Sequence, residues 1–205
     1  GVLSEDPPVG DDRGLHLRSD RLRLVAVQGQ EGVGRAGGHQ FYPALLVVVI
    51  EGREDVACVL HTHMPYATAL ACLEGFELQM LDQSSCRFFR RVAYDRSFGG
   101  MFLDDSEGPR LARLLADGVS TVFLGNHGVM VVGETVAEAF DELYYLERVC
   151  ELHVLAMSTG RPLAIIADDI AELTCRQWLD YPEGAELHMR ALMEILDADE
   201  PGWDS

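Results

Sequence analysis

The sequence predicts an α/β domain, and three observations carry that expectation. Short apolar runs of strand length occur at residues 56–60, 121–124 and 129–132, each ending in a turn that carries histidine or glycine. Segments with apolar residues at helical spacing lie between and after them, above all at residues 135–160. A chain of 205 residues suits one domain able to bury about 70% of its unfolded surface.

The elements follow in chain order. Within residues 15–27, Leu22, Leu24 and Ala26 alternate as in a strand. A glycine loop follows at residues 29–38. Its stretch Gly32-Val-Gly-Arg-Ala-Gly37 matches a dinucleotide fingerprint, but that fingerprint must open a helix, and Pro43 breaks any helix there after one turn. The apolar run at residues 44–50 is far short of the ~20 residues that span a bilayer. Residues 56–60 read as a buried strand, and residues 67–73 as a short helix ended by Gly75. Residues 76–81 alternate like a strand, and a polar loop leads into residues 88–93. Residues 107–116 form an amphipathic helix with Leu111, Leu114 and Leu115 inward, closed by Gly118. Thr135 with Glu138 makes a capping box for the strongest helix, which carries Phe140, Leu143, Leu146, Cys150, Val154 and Met157 on its apolar stripe. His153 beside that stripe reads as a core or interface residue. Two tail helices, residues 168–179 and 185–196, flank a Tyr181-Pro182 break. Trp178 and Trp203 are expected to pack on the domain or on a neighbouring subunit.

The histidines carry the chemistry. His61 and His63, in Val56-Ala-Cys-Val-Leu-His-Thr-His63, stand two apart at a strand end, so both imidazoles leave the same face. His127, in Gly125-Asn-His-Gly128, ends the run 121–124. Three neutral imidazoles with an open position are the donor set of a catalytic zinc or related divalent-metal site. Such an ion polarises a carbonyl or stabilises a developing enolate.

His61-Thr-His-Met-Pro-Tyr-Ala-Thr-Ala69, followed by Leu124-Gly-Asn-His-Gly-Val-Met-Val-Val-Gly-Glu-Thr-Val-Ala-Glu-Ala-Phe140, resembles the class II aldolase/adducin family. The resemblance extends from Phe41 to the C-terminus through Arg53-Glu-Asp55, Arg87-Phe-Phe-Arg-Arg-Val-Ala-Tyr-Asp95 and Leu146-Glu-Arg-Val-Cys150. It implies a three-layer α/β/α sandwich with a central, mainly antiparallel sheet, and divides the chain into a divergent glycine-rich segment, residues 1–40, and an aldolase/adducin-like domain, residues 41–205. It also implies that His61, His63 and His127 bind a divalent metal, usually zinc. The implied activity is lyase or epimerase chemistry on a small hydroxy-carbonyl such as a sugar or sugar phosphate, through a metal-stabilised enediolate. A homo-oligomer, commonly a tetramer, is the implied assembly. The same resemblance admits an adducin-like protein that binds cytoskeletal or other partners without turnover.

The chain departs from the family pattern upstream. The usual acid/base glutamate falls near Tyr42 in an ungapped reading, and a tyrosine, with an ordinary pKa of about 10, is a poor base near neutral pH. Leu46 stands where many relatives carry histidine. The substrate loop with its asparagine and the Thr/Ser-Gly phosphate strand have no counterpart in residues 1–40. The general base is therefore unassigned.

A net charge of −18 argues against nucleic acid or an anionic membrane surface as a partner. An anionic substrate would need a local positive site, for which Arg87, Arg90 and Arg91 are the available side chains beside the metal. At least two of them read as a solvated face. Five cysteines form no Cys-x-x-Cys pair, and Cys58 and Cys150 sit in apolar patterns, which suits a reducing cytoplasm.

Overall fold

The computed structural model describes residues 24–27, 53–100, 107–116 and 118–202. The glycine loop, the run at 44–50, His39, Tyr42, Leu46 and Trp203 lie outside the described residues. One five-stranded sheet organises the rest. Its strands are β1 (Leu24–Val27), β2 (Cys58–Thr62), β3 (Val92–Asp95), β4 (Thr121–Leu124) and β5 (Gly128–Gly133), in the order β1-β2-β5-β4-β3. The three central strands run antiparallel, β2 with β5 and β5 with β4, and each edge strand joins in parallel, β1 to β2 and β3 to β4. β1 falls inside the N-terminal segment that the sequence sets apart, and it pairs along its four residues with β2.

Strand alternation divides the core into two halves and so makes three layers. Cys58, Leu60, Phe123, Val129 and Val131 face one side, where α1 (Pro65–Ala71) and α3 (Val136–Ser158) cover them with Ala67, Leu70, Ala139, Leu146, Val149 and Cys150. Val59, Val122, Leu124, Met130 and Val132 face the other side, covered by Leu111 of α2 (Glu107–Leu114) and by Leu115 just after it. Full burial of Leu70 or Leu146 contributes about 1.5–3 kcal/mol each. The fold is the α/β/α sandwich that the resemblance implies.

Local chemistry explains where the helices begin and end. Thr135 caps α3 by accepting from the Glu138 N–H at 3.1 Å, while the Glu138 carboxylate accepts from the Glu134 N–H at 2.9 Å. Gly118 follows α2 with φ +83°, a conformation glycine adopts without a Cβ penalty. α1 starts two residues before the sequence expectation, because Pro65 occupies the first helical position, where its missing N–H costs nothing. The tail helices are α4 (Asp168–Leu179) and α5 (Glu183–Asp199), the first against a 3₁₀ turn (Ser85–Phe88) and the second against α3.

One expected strand is absent. Residues 76–81 do alternate, with Leu78 and Met80 buried and Glu77 and Gln79 exposed, but they join no sheet. Their backbone bonds go elsewhere. The Leu78 N–H donates to the Tyr94 hydroxyl at 2.7 Å, that of Gln79 to His153 Nε2 at 3.1 Å and that of Leu81 to Ser85 Oγ at 2.8 Å, while the Met80 carbonyl accepts from Ile166 at 2.8 Å. Alternating burial here reflects an extended segment lying on the core, held by side chains rather than by a ladder. His153 is accordingly a core residue, 1% exposed.

Candidate metal centre

The site forms where two strand ends meet. β2 carries His61 in its ladder, opposite Met130 of β5, and His63 lies two residues on, leaving the same face. His127 belongs to the three-residue turn that joins β4 to β5. That turn requires Asn126 at φ +56°, a left-handed conformation that asparagine tolerates better than most residues. Three backbone bonds hold it. Gly125 donates to the Asp95 carbonyl at 2.7 Å, Asn126 to the Ala71 carbonyl at 3.1 Å and His127 to the Leu124 carbonyl at 3.0 Å. Gly125 approaches β3 so closely that a Cβ there would stand 2.9 Å from the Asp95 oxygen.

These elements bring the three predicted histidines together. One nitrogen from each of His61, His63 and His127 lies within 4.8 Å of the others, and the ring centroids are 4.7–5.0 Å apart. His61 Nδ1 is 2.9 Å from the Val129 carbonyl, which can only accept, so Nδ1 carries the proton and Nε2 presents its lone pair. That Nε2 is 3.2 Å from His63 Nε2. Two ligands of a tetrahedral ion bound at 2.0–2.1 Å lie about 3.3 Å apart, so the His61–His63 pair stands at the spacing of two zinc ligands, with His127 close enough to complete the set by a small movement. The carbonyl bond to His61 is the outer contact that usually orients a metal-bound imidazole.

Electrostatics favour the neutral, ligating form. Burial, then the neighbouring imidazoles, holds His61 down to about 4. Burial, then His63, also lowers His127. Two of the three rings are thus ready to bind a cation at neutral pH without first losing a proton.

The cluster contains three imidazoles and, among the described residues, no carboxylate. Phe98, 54% exposed, stands with its ring 6.3 Å from that of His127 and gives the mouth an apolar wall. On the same end of the sheet, buried Asp95 pairs with Arg110 of α2 and accepts from the Ser97 hydroxyl at 2.9 Å.

The predicted arginines go elsewhere. Arg87 and Arg91 lie at the opposite end of the sheet, at the start of β3. Arg87 donates to Asp141 at 2.5 Å and to Glu142 at 2.7 Å, and its guanidinium stacks over Tyr145 at 5.0 Å. Arg91 reaches Glu142 at 3.5 Å. Only Arg90 is solvent-facing, in a loose pair with Asp168. The crevice there, about 900 Å³, is filled at its base by these mutual ion pairs and by His188, whose Nδ1 lies 2.6 Å from Asp141.

Sequence reasoning also passed over Glu147. It lies within the quoted Leu146-Glu-Arg-Val-Cys150, yet nothing in that pattern shows that its two oxygens accept the Tyr66 and Ala67 N–H groups, each at 2.9 Å.

Residues 43–154 match the family described as Class II Aldolase and Adducin N-terminal domain. Decarboxylase NovR of Streptomyces niveus is 35% identical over 161 residues, which cover 78% of this chain and 57% of the relative. A solved aldolase II superfamily protein from Pseudomonas syringae aligns with a TM-score of 0.68 at 30% identity, over 76% of this chain and 62% of that one. An L-fuculose 1-phosphate aldolase from Glaciozyma antarctica PI12 aligns with a TM-score of 0.56 at 26% identity, over 65% of this chain and 49% of that one. The chain thus spans less than two thirds of the length of each of these proteins.

Proposed function

The chain belongs to the class II aldolase and adducin family, and from that premise we propose that it is a divalent-metal-dependent lyase or epimerase for a small hydroxy-carbonyl compound. The convergence of His61, His63 and His127 within 4.8 Å is the observation that carries this reading. When bound there, zinc or a similar ion supplies Lewis-acid polarisation of a carbonyl and stabilises the charge left as a neighbouring carbon–carbon bond breaks. Aldol cleavage and decarboxylation, the activities named among its relatives, both break such a bond.

The chain's own residues set the geometry for that chemistry. Val129 fixes the tautomer of His61, so Nε2 is the nitrogen that presents a lone pair. The clamped turn at residues 125–127 holds His127 against the two strand histidines. The Phe98 ring, 6.3 Å from that of His127, gives one side of the site an apolar neighbour. Among the described residues the cluster adds no carboxylate to the three imidazoles, so the base stays unassigned between the substrate's own groups, a neighbouring subunit and the rest of the protein.

Other features accompany the reading. α5 exposes Leu187, Met193, Ile195 and Leu196, an apolar surface of the kind that subunits of a homo-oligomer cover. Among the described residues no helix is long and apolar enough to cross a membrane, and five cysteines are free, which fits a protein of the cytoplasm.

The lack of a carboxylate in the sequence near Tyr42, where the family pattern has its glutamate, favours a second reading, an adducin-like binding protein that keeps the fold without turnover. Metal content and turnover separate the two. We expect about one divalent ion per chain, and cleavage of a panel of sugar phosphates and 2-hydroxy-3-oxo acids that disappears in His61→Ala. Bound metal with no turnover on any substrate would favour the binding protein, and no metal after zinc loading would reject the enzyme.

A further inference from the structure

We propose that Glu147 is a positioning residue for the metal centre: its carboxylate, delivered by α3, sets the backbone path on which His63 sits. This role rests on the reading of the three histidines as ligands. The ladder between β2 and β5 ends at the pair Thr62–Val129, so His63 stands one residue beyond the last paired position. The segment after His63 must therefore fix its direction.

The helix in that segment is short and poorly capped by its own sequence. Met64 occupies the cap position and makes no side-chain bond to the first turn. Pro65 has no N–H, which leaves Tyr66 and Ala67 as the orphan donors of α1. Glu147, 81 and 80 positions away in sequence, gives one carboxylate oxygen to each at 2.9 Å. Two parallel charge-assisted bonds fix the orientation of that turn as well as its position. Negative charge at a helix N-terminus adds to the attraction.

The clamp itself is anchored. Leu146 and Cys150, on either side of Glu147 along α3, are fully buried in the core shared with α1. His63 is thus held between two fixed points, the last ladder pair at Thr62 and the clamped turn at Tyr66 and Ala67. Only Met64 and Pro65 lie between, and proline locks its own φ. Metal coordination tolerates errors of only about 0.2 Å, so a first turn that drifts would carry His63 out of range of His61 and His127.

The test is zinc affinity, measured by competition with a chromophoric chelator well below the melting temperature of each protein, on wild type, Glu147→Ala, Glu147→Gln and Phe88→Ala. Glu147→Ala should bind zinc about 10–100-fold more weakly. Glu147→Gln should fall between, because its amide oxygen can replace one acceptor of the two. Amide exchange at Tyr66 and Ala67 should accelerate in metal-free Glu147→Ala. Phe88→Ala, a core truncation at the far end of the sheet, should lower the melting temperature yet keep zinc affinity within about twofold of wild type. Folded Glu147→Ala that binds zinc like wild type, or an equal loss of affinity in Phe88→Ala, would overturn the positioning role and leave the ligand assignment standing. No zinc binding by wild type would overturn both.

Discussion

Gly128 and His63 meet so closely that no side chain fits between them: a Cβ on Gly128 would lie 2.7 Å from Cδ2 of the His63 ring and 2.6 Å from the Thr62 carbonyl oxygen. The second glycine of the Gly125-Asn-His-Gly128 motif is therefore a packing requirement of the site. It lets β5 pass against the imidazole that β2 and α1 present.

Gly128→Ala should push His63 away from the other two rings, because the backbone of Thr62 on the other side cannot yield. We expect a loss of stability of about 1–3 kcal/mol in the metal-free protein, as for an overpacked core, and a weakened zinc site. Urea unfolding with and without zinc measures both. A variant that matches wild type in both would show that the contact relaxes without consequence.

Zinc should stabilise the folded protein by mass action. At a free concentration a hundred times the dissociation constant the gain is about 2.7 kcal/mol, or roughly 5–10 °C in a chain of this size. His61→Ala and His127→Ala should lose that increment, and a chelator should reverse it in wild type. An undiminished increment in both variants would place the ion somewhere else.

Arg87 should matter to folding and not to the metal. It sits between two buried carboxylates, Asp141 at 7% and Glu142 at 4% side-chain exposure, so its removal takes a guanidinium from both and leaves His188 beside Asp141 and Arg91 at 3.5 Å from Glu142. Breaking a buried pair in this way typically costs 3–5 kcal/mol. Arg87→Met should therefore lower the melting temperature strongly while zinc affinity, measured on the folded fraction, stays the same. A stable variant with an altered zinc site would contradict the separation of the two sheet ends.

How far the sequence could be read depends on the range of each interaction. His61 and His63 were legible because a two-residue spacing in an apolar run fixes their common face, and His127 because a Gly-Asn-His-Gly turn after a second run fixes its place. The start of α1 was misplaced because Pro65 reads as a breaker until its position in the first turn is known. Residues 76–81 imitate a strand because burial alternates with or without a ladder. Glu147 and Arg87 were opaque for one reason. Each finds its partners more than fifty positions away, Tyr66 and Ala67 for one and Asp141 and Glu142 for the other, and no local pattern encodes such a pairing.

His153 should make stability depend on pH in a defined direction. Its Nδ1 is 2.9 Å from the Val149 carbonyl and its Nε2 3.1 Å from the Gln79 N–H. A carbonyl only accepts and an N–H only donates, so the proton sits on Nδ1 and Nε2 must stay bare. Burial lowers its pKa from the ordinary 6.5, and a second proton would face the Gln79 donor. The folded-state value lies below the unfolded one, so the stabilisation is complete above pH 6.5. It declines as pH falls below 6.5, by up to about 1.4 kcal/mol per pH unit, and levels off below the folded-state value. His61 and His127 are also held low by burial, and they contribute equally to wild type and to a His153 variant. Urea unfolding of metal-free wild type and His153→Gln at pH 7.5, 6.5 and 5.5 isolates the difference. Wild type should lose more stability than the variant between pH 6.5 and 5.5. Parallel losses in the two proteins would mean that the imidazole takes up its proton without giving up the Gln79 bond.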